Sequence, residues 1–155
     1  MADPIERRIE QRLLAGQRKA DIWQDMKNDA EPEKALFYLN NKASLKDRLN
    51  FQIVNLVLAL ILAFVTAKEL ITLFSFGKLD VAFLAGLVVP IINIYILKEI
   101  LRFHRLGYQY LFVLSTLSLI LPKNHGTLEL SLTLLMIATS GFLHMKLFPK
   151  KRAIS

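Results

Sequence analysis

Apolar residues in the first 43 positions alternate at helical intervals with charged ones, whereas from residue 44 onward they gather into four long runs. In the leading segment Ile5, Ile9 and Leu13 fall four apart, the spacing of one helix face. Asp3 before Pro4, with Glu6 three residues after the Asp, forms a capping box with proline at the first helical position, and Ala15-Gly16 supplies a stop. A second short helix is expected from about Gln17 to Lys27, with Ile22, Trp23 and Met26 to one side. A third is expected from Glu31-Pro32 to Asn40-Asn41, carrying Leu36, Phe37 and Leu39. Each is shorter than the roughly 12 to 15 residues at which an isolated helix holds in water, so they must pack on one another, on a membrane surface or on a partner.

The run from Phe51 to Ala67 carries no charge, and Ser44 followed by Asp47 caps a helix starting near Leu45. Lys68-Glu69 is read as its close, and the apolar LITLFSF that follows either prolongs the helix into the headgroup zone or lies flat there, before a turn at Gly77-Lys78. Three further runs follow, which gives expected spans of about 45–67, 79–97, 106–121 and 128–147, against a hydrocarbon core of about 30 Å. Pro90 inside the second span predicts a kink, because it cannot donate to the carbonyl four residues back. The expected fold is therefore all-α: a polytopic membrane protein with four transmembrane helices in an up-and-down bundle (residues 44–148). A cytoplasmic helical head (1–43) precedes it and a basic tail (149–155) follows.

Charge sets the orientation. Residues 1–48 carry a net charge of +1 and the remainder +6, so the basic balance comes from the membrane-flanking loops rather than from the head, which argues against a nucleic-acid partner. With the N-terminus inside, seventeen of the twenty Lys and Arg residues fall on the cytoplasmic side, so a multi-pass protein of the cell inner (cytoplasmic) membrane with both termini cytoplasmic is expected. The polar opening MADPIERRIEQR predicts no secretory signal, leaving the first span to direct insertion. The absence of cysteine excludes thiol catalysis, disulfide exchange and Cys-ligated metal.

Four sets of residues stand out as candidates. Asn55, Ala59 and Ala63 recur every four residues in the first span, and Ala82, Gly86 and Asn93 lie around Pro90 in the second. These two small-residue stripes are expected to face each other with the asparagines level and hydrogen-bonded. With Ser115, Thr133 and Ser140 they would form a polar seam through the bundle, the alternative use of the same residues being a channel or transport path. Lys98, Arg102 and Arg105 fall on one helical stripe if the second helix continues past the interface. With Lys150, Lys151 and Arg152 they would set topology, attract anionic lipid or attract the nine carboxylates of residues 1–48. Trp23, Phe37 and Tyr38 either build the head's core or offer a partner surface. His104 and His144 are expected at the cytoplasmic interface, solvated or bonded to headgroups, and no catalytic, metal or cofactor set is recognised.

The expected function is that of an interaction, assembly or regulatory subunit rather than an enzyme. Its partners would be the bilayer, a protein bound through residues 1–43 and, in some assemblies, a second copy of the chain. The competing expectation is a small oligomeric channel or transporter; the lack of an intramembrane charge argues against ion-coupled transport, though not against a passive pore.

Overall fold

The computed structural model describes residues 3–76, 80–120 and 126–149, and these form seven helices. Three short ones come first: α1 (Pro4–Leu14), α2 (Lys19–Met26) and α3 (Pro32–Asn41). The Asp3 carboxylate accepts from the Ile5 amide at 2.9 Å and so caps α1, and Gly16 takes the left-handed conformation (φ 81°) just beyond its end. Ile9, Leu13, Ile22, Met26, Ala35 and Leu39 from all three helices are buried together, with Trp23 and Tyr38 packed against them. These helices thus find their stabilising surface in one another. Phe37 is not part of that core; it stays 52% exposed, edge-on to Tyr38.

Four longer helices follow: α4 (Leu45–Phe76), α5 (Val81–Leu101), α6 (Arg105–Ser118) and α7 (Thr127–Leu147). Ser44 caps α4 as its spacing predicts, its hydroxyl accepting from the Asp47 amide and donating to the Asp47 carboxylate at 2.7 Å. α4 packs against α5 and α7, and α6 packs against the same two helices. Leu58, Leu62, Ile96, Leu111, Met136 and Leu143 fill the space between them. Ile53, Leu60, Phe64, Ile91 and Leu117 point outward and are exposed, so these helices are apolar on both faces, as a lipid-facing helix is.

Two expectations need correcting. Three helices, α4, α5 and α7, are long and apolar enough to cross a membrane, not four. The expected third span ends early: α6 has 14 residues, about 21 Å at about 1.5 Å per residue, short of a core of about 30 Å. The first span is instead longer than expected. Lys68-Glu69 does not close it; of the two courses expected for LITLFSF the helical one holds, and α4 continues to Phe76.

That extension changes the depth of two charges. The Lys68 ammonium pairs with the Glu129 carboxylate, near the start of α7. Beyond this level α4 and α5 continue together, with Leu73 packed where a side chain on Gly86 would stand. Eight further residues of α4 carry it about 12 Å past the pair. The expected turn at Gly77-Lys78, the start of the second span at Leu79, Pro122, Lys123, His125 and the cations Lys150, Lys151 and Arg152 lie outside the described residues.

Candidate functional site

The densest polar chemistry lies where the three short helices meet the ends of α5 and α6. α5 stops at Leu101 through two backbone bonds, Phe103 N–H to Ile100 O at 2.9 Å and His104 N–H to Glu99 O at 3.0 Å. This is the Schellman pattern, and its left-handed position, usually glycine, is occupied by Phe103 at φ 56°. Such a conformation costs a non-glycine residue of order 1 to 3 kcal/mol and persists only where the surroundings hold it. Here the Phe103 carbonyl accepts from the Ala43 amide at 3.2 Å, and Lys42 and His104 pair as a single antiparallel bridge. The α6 N-terminus is capped from outside its own chain segment, the Asn41 side chain at the end of α3 accepting from the Leu106 amide at 3.1 Å.

Inside this joint, Lys42 is buried with its ammonium on three acceptors. It donates to Glu10 at 2.6 Å, to Glu6 at 3.1 Å and to Nε2 of His104 at 3.1 Å. Because an ammonium only donates, Nε2 is an acceptor; the ring proton is then on Nδ1, which donates to Glu99 at 2.7 Å. Arg48, in the first turn of α4, holds both oxygens of Glu10, at 2.5 and 3.2 Å, and its Nε donates to the Ala43 carbonyl at 3.0 Å. Arg102 lies 3.8 Å from Glu6. Three carboxylates (Glu6, Glu10, Glu99) therefore face three cations (Lys42, Arg48, Arg102), and charge balances with His104 neutral. Burial alone would push the Glu10 carboxyl up, but the bonds and charges of Arg48 and Lys42 outweigh it and hold it at about 2.

Just below the joint, Tyr108 is fully buried and donates to the Asn55 side chain at 2.6 Å, while Asn55 donates to the Ile100 carbonyl at 3.1 Å. Asn55 therefore ties α4 to the end of α5 and to α6. Gly107 makes the close crossing possible, since a Cβ there would stand 2.8 Å from Glu99 Cβ and 2.9 Å from the Ile100 amide nitrogen.

A second polar place lies further along. A cleft of about 350 Å³ between α4, α5, α6 and α7 is lined by Glu69, Asn93, Ser115, Ser118 and Thr133 among apolar side chains. Asn93 donates to the Glu69 carboxylate at 3.5 Å.

The expected pairing of Asn55 with Asn93 is overturned. Asn55 meets Tyr108 and Ile100, and Asn93 meets Glu69, fourteen residues further along α4. The small-residue stripes also fail to match. Asn55 and Ala59 are buried, but Ala63 is half-buried and Ala82 exposed, with Gly86 half-buried against Leu73. The buried line of α4 runs through Asn55, Leu58, Ala59, Leu62 and Thr66, in steps that mix three and four residues, and Ala63 falls to its side. Pro90, Ser115, Thr133 and Ser140 are buried. They do not make one seam: Ser115 and Thr133 line the Glu69–Asn93 cleft, whereas Ser140 bonds to its own helix at Ile137 and Asn55 is held by Tyr108.

The expected cationic stripe is broken too. α5 ends before Arg102, so Lys98 and Arg102 stay near its exposed end while Arg105 opens α6. His104, expected to be solvated or bonded to headgroups, is buried and bonded through both nitrogens, which leaves the ring no free position for a substrate. The head carboxylates are expected partners of the cationic stripe only as a group, and Arg102 does lie beside Glu6; the sequence singles out neither Glu10 nor Glu99 for the joint. The available signal was Glu6 and Glu10, four apart beside the apolar Ile9-Leu13 face. Among the described residues, no group of three His, Asp or Glu side chains is placed to hold a metal ion. No protein-family model, curated protein or solved structure matches the chain.

Proposed function

We propose that this is a multi-pass protein of the cytoplasmic membrane whose four long helices form an up-and-down bundle. In it the short α6 packs as a fourth member between α5 and α7; because α7 starts beside Lys68 of α4 and ends beside Arg18 and Lys19 of the head, α7 returns to the side of the N-terminus and both termini are cytoplasmic. The three leading helices form a cytoplasmic head, and the protein works as an interaction, assembly or regulatory subunit. The observation that carries this reading is the Lys42–Glu6–Glu10–Arg48–His104–Glu99 joint. A tethered, independent head needs no buried charge at its base. Here the joint fastens the head to the ends of α4, α5 and α6, so an event at the head is felt at the membrane helices. The free aromatic face at Phe37 is the head's available contact for a protein partner.

The test begins with orientation. The chain has no cysteine, so single-cysteine variants at Lys27 and at Lys68 can be labelled from either side of intact cells; labelling of position 27 from outside would overturn the proposal. Copurification from native membranes should then give a defined partner with the intact chain and lose it with Phe37→Ala.

A second reading is favoured by one observation, the Glu69–Asn93 cleft, because it sets an acid within an apolar helix. It makes the chain a small transporter or channel subunit. Flux through reconstituted protein that is abolished by Glu69→Gln would establish it over the first reading.

A further inference from the structure

A cavity of about 480 Å³ lies on the other side of the joint, where α2, α4 and α6 begin and α7 ends. Arg18, Lys19, Lys46 and Arg105 line it, with Asp47 as the one carboxylate among its lining residues. Asp47 is already engaged by the Ser44 hydroxyl, and the partner of Arg18 is Asp21, bonded twice at 2.9 Å. The guanidinium Nε of Arg105 is buried and has no hydrogen-bond partner. The cavity therefore gathers four cations and one carboxylate, with Arg18 also holding Asp21. An unpartnered buried N–H costs roughly 1 to 3 kcal/mol until an acceptor reaches it. The positive ends of α2, α4 and α6 add to the same field.

We propose that this cavity binds a phosphate-bearing anion. Arg105 and Lys46 hold the phosphate oxygens, and Arg18 and Lys19 close the site from the head. Leu147, Phe148 and Pro149, at the end of the apolar α7, form the remaining wall. A phospholipid meets both parts of this lining, with its phosphate on the cations and its acyl chains along the apolar wall. The lipid as source of the phosphate rests on the membrane orientation proposed above; the anion site itself does not. Since Arg18 and Lys19 belong to the head, and Lys46 and Arg105 to the membrane helices, occupancy would bridge the two parts independently of the ionic joint.

The full chain, purified in an uncharged detergent, can be titrated with phosphatidylglycerol, phosphatidylcholine or inorganic phosphate. Bound lipid is read by native mass spectrometry and stability by thermal unfolding. Phosphatidylglycerol should bind and protect, and phosphatidylcholine should do so far less. Arg105→Gln and Lys46→Gln should each weaken binding about fivefold, in keeping with the worth of one basic residue near an anionic surface. Lys46 is exposed, so its variant separates loss of the ligand from loss of the fold. Lys98→Gln, an exposed cation of α5 outside the cavity, should leave binding unchanged. Protection by inorganic phosphate that survives in Lys98→Gln and fails in Lys46→Gln would support the site and assign it to a soluble phosphate. Equal binding of the two lipids with no effect of phosphate, or equal losses in Lys46→Gln and Lys98→Gln, would overturn it. The orientation labelling at positions 27 and 68 is independent of this result, so the two readings fail separately.

Discussion

Lys42, at the end of α3, places its ammonium 3.1 Å from Nε2 of His104, across a bridge of two extended residues that joins the head to the start of α6. The contact defines the imidazole as an acceptor on that side and as a donor to Glu99 on the other. Lys42 is thereby the only cation that touches Glu6, Glu10 and His104 together among the described residues.

Replacing Lys42 with Met keeps the length of the stem and removes the charge. Glu6 and Glu10 would then share a largely buried site with one fewer cation. Breaking a buried pair from one side costs about 3 to 5 kcal/mol, far more than the loss of a surface pair. Chemical unfolding of the full chain should show that loss. Lys34→Met, which removes the exposed pairs to Asp3 and Glu31, should cost well under half as much.

The joint should fail in acid in a defined window. Glu10 has its folded pKa depressed from 4.5 to about 2, so the folded form prefers the charged carboxylate more strongly than the unfolded form does. The resulting stabilisation is fully present above about pH 4.5 and is lost as pH falls toward 2. Trp23 is the sole tryptophan and packs on the head's core, so its fluorescence reports the head. We expect a change in this signal below pH 4.5 that is reduced in Glu10→Gln, a variant already lacking the charge.

Much of this architecture was legible in the chain, for particular reasons. Asp3-Pro4, Gly16 and Ser44-Asp47 carry local backbone chemistry, so the boundaries of α1 and the start of α4 follow from neighbours in sequence. Apolar run length gave α4, α5 and α7 for the same reason. The end of α4 misled because Lys68-Glu69 has the composition of a helix end. Their partners, Glu129 on α7 and Asn93 on α5, are 61 and 24 residues away, and no local pattern announces them. The joint was hidden similarly: Lys42 and His104 are 62 residues apart, and a chain that turns at Phe103 with a left-handed residue gives no glycine to mark the turn.

The α5–α6 crossing depends on the missing side chain of Gly107. A methyl group there would press on the backbone of Ile100, which cannot move without disturbing the end of α5 and the Asn55 contact. Gly107→Ala should therefore destabilise the chain by about 1 to 3 kcal/mol. Gly86→Ala meets only the tip of the Leu73 side chain, which can rotate away. Thermal unfolding of the two variants should rank them in that order; equal effects would mean that α6 sits further from α5 than the structure places it.

The two asparagines provide the sharpest contrast between composition and contact. Both are amides inside apolar helices, and by residue type alone either could be the stabilising one. Asn55 accepts from the buried Tyr108 hydroxyl and donates to the Ile100 carbonyl; the carbonyl keeps the Phe103 amide, but Asn55→Leu leaves the hydroxyl only a 3.5 Å contact to that carbonyl and should cost about 1 to 3 kcal/mol. Tyr108→Phe removes the hydroxyl instead, and in the Asn55→Leu background it should cost less than it does alone, because the stranded donor is gone. Asn93 makes a single long contact, 3.5 Å to Glu69, and is only half-buried. Asn93→Leu should therefore leave unfolding nearly unchanged while altering whatever the Glu69 cleft admits. A double-mutant cycle over Asn55 and Tyr108, run beside Asn93→Leu, measures both statements. Coupling between Asn55 and Asn93 instead would restore the level pairing that the structure replaces.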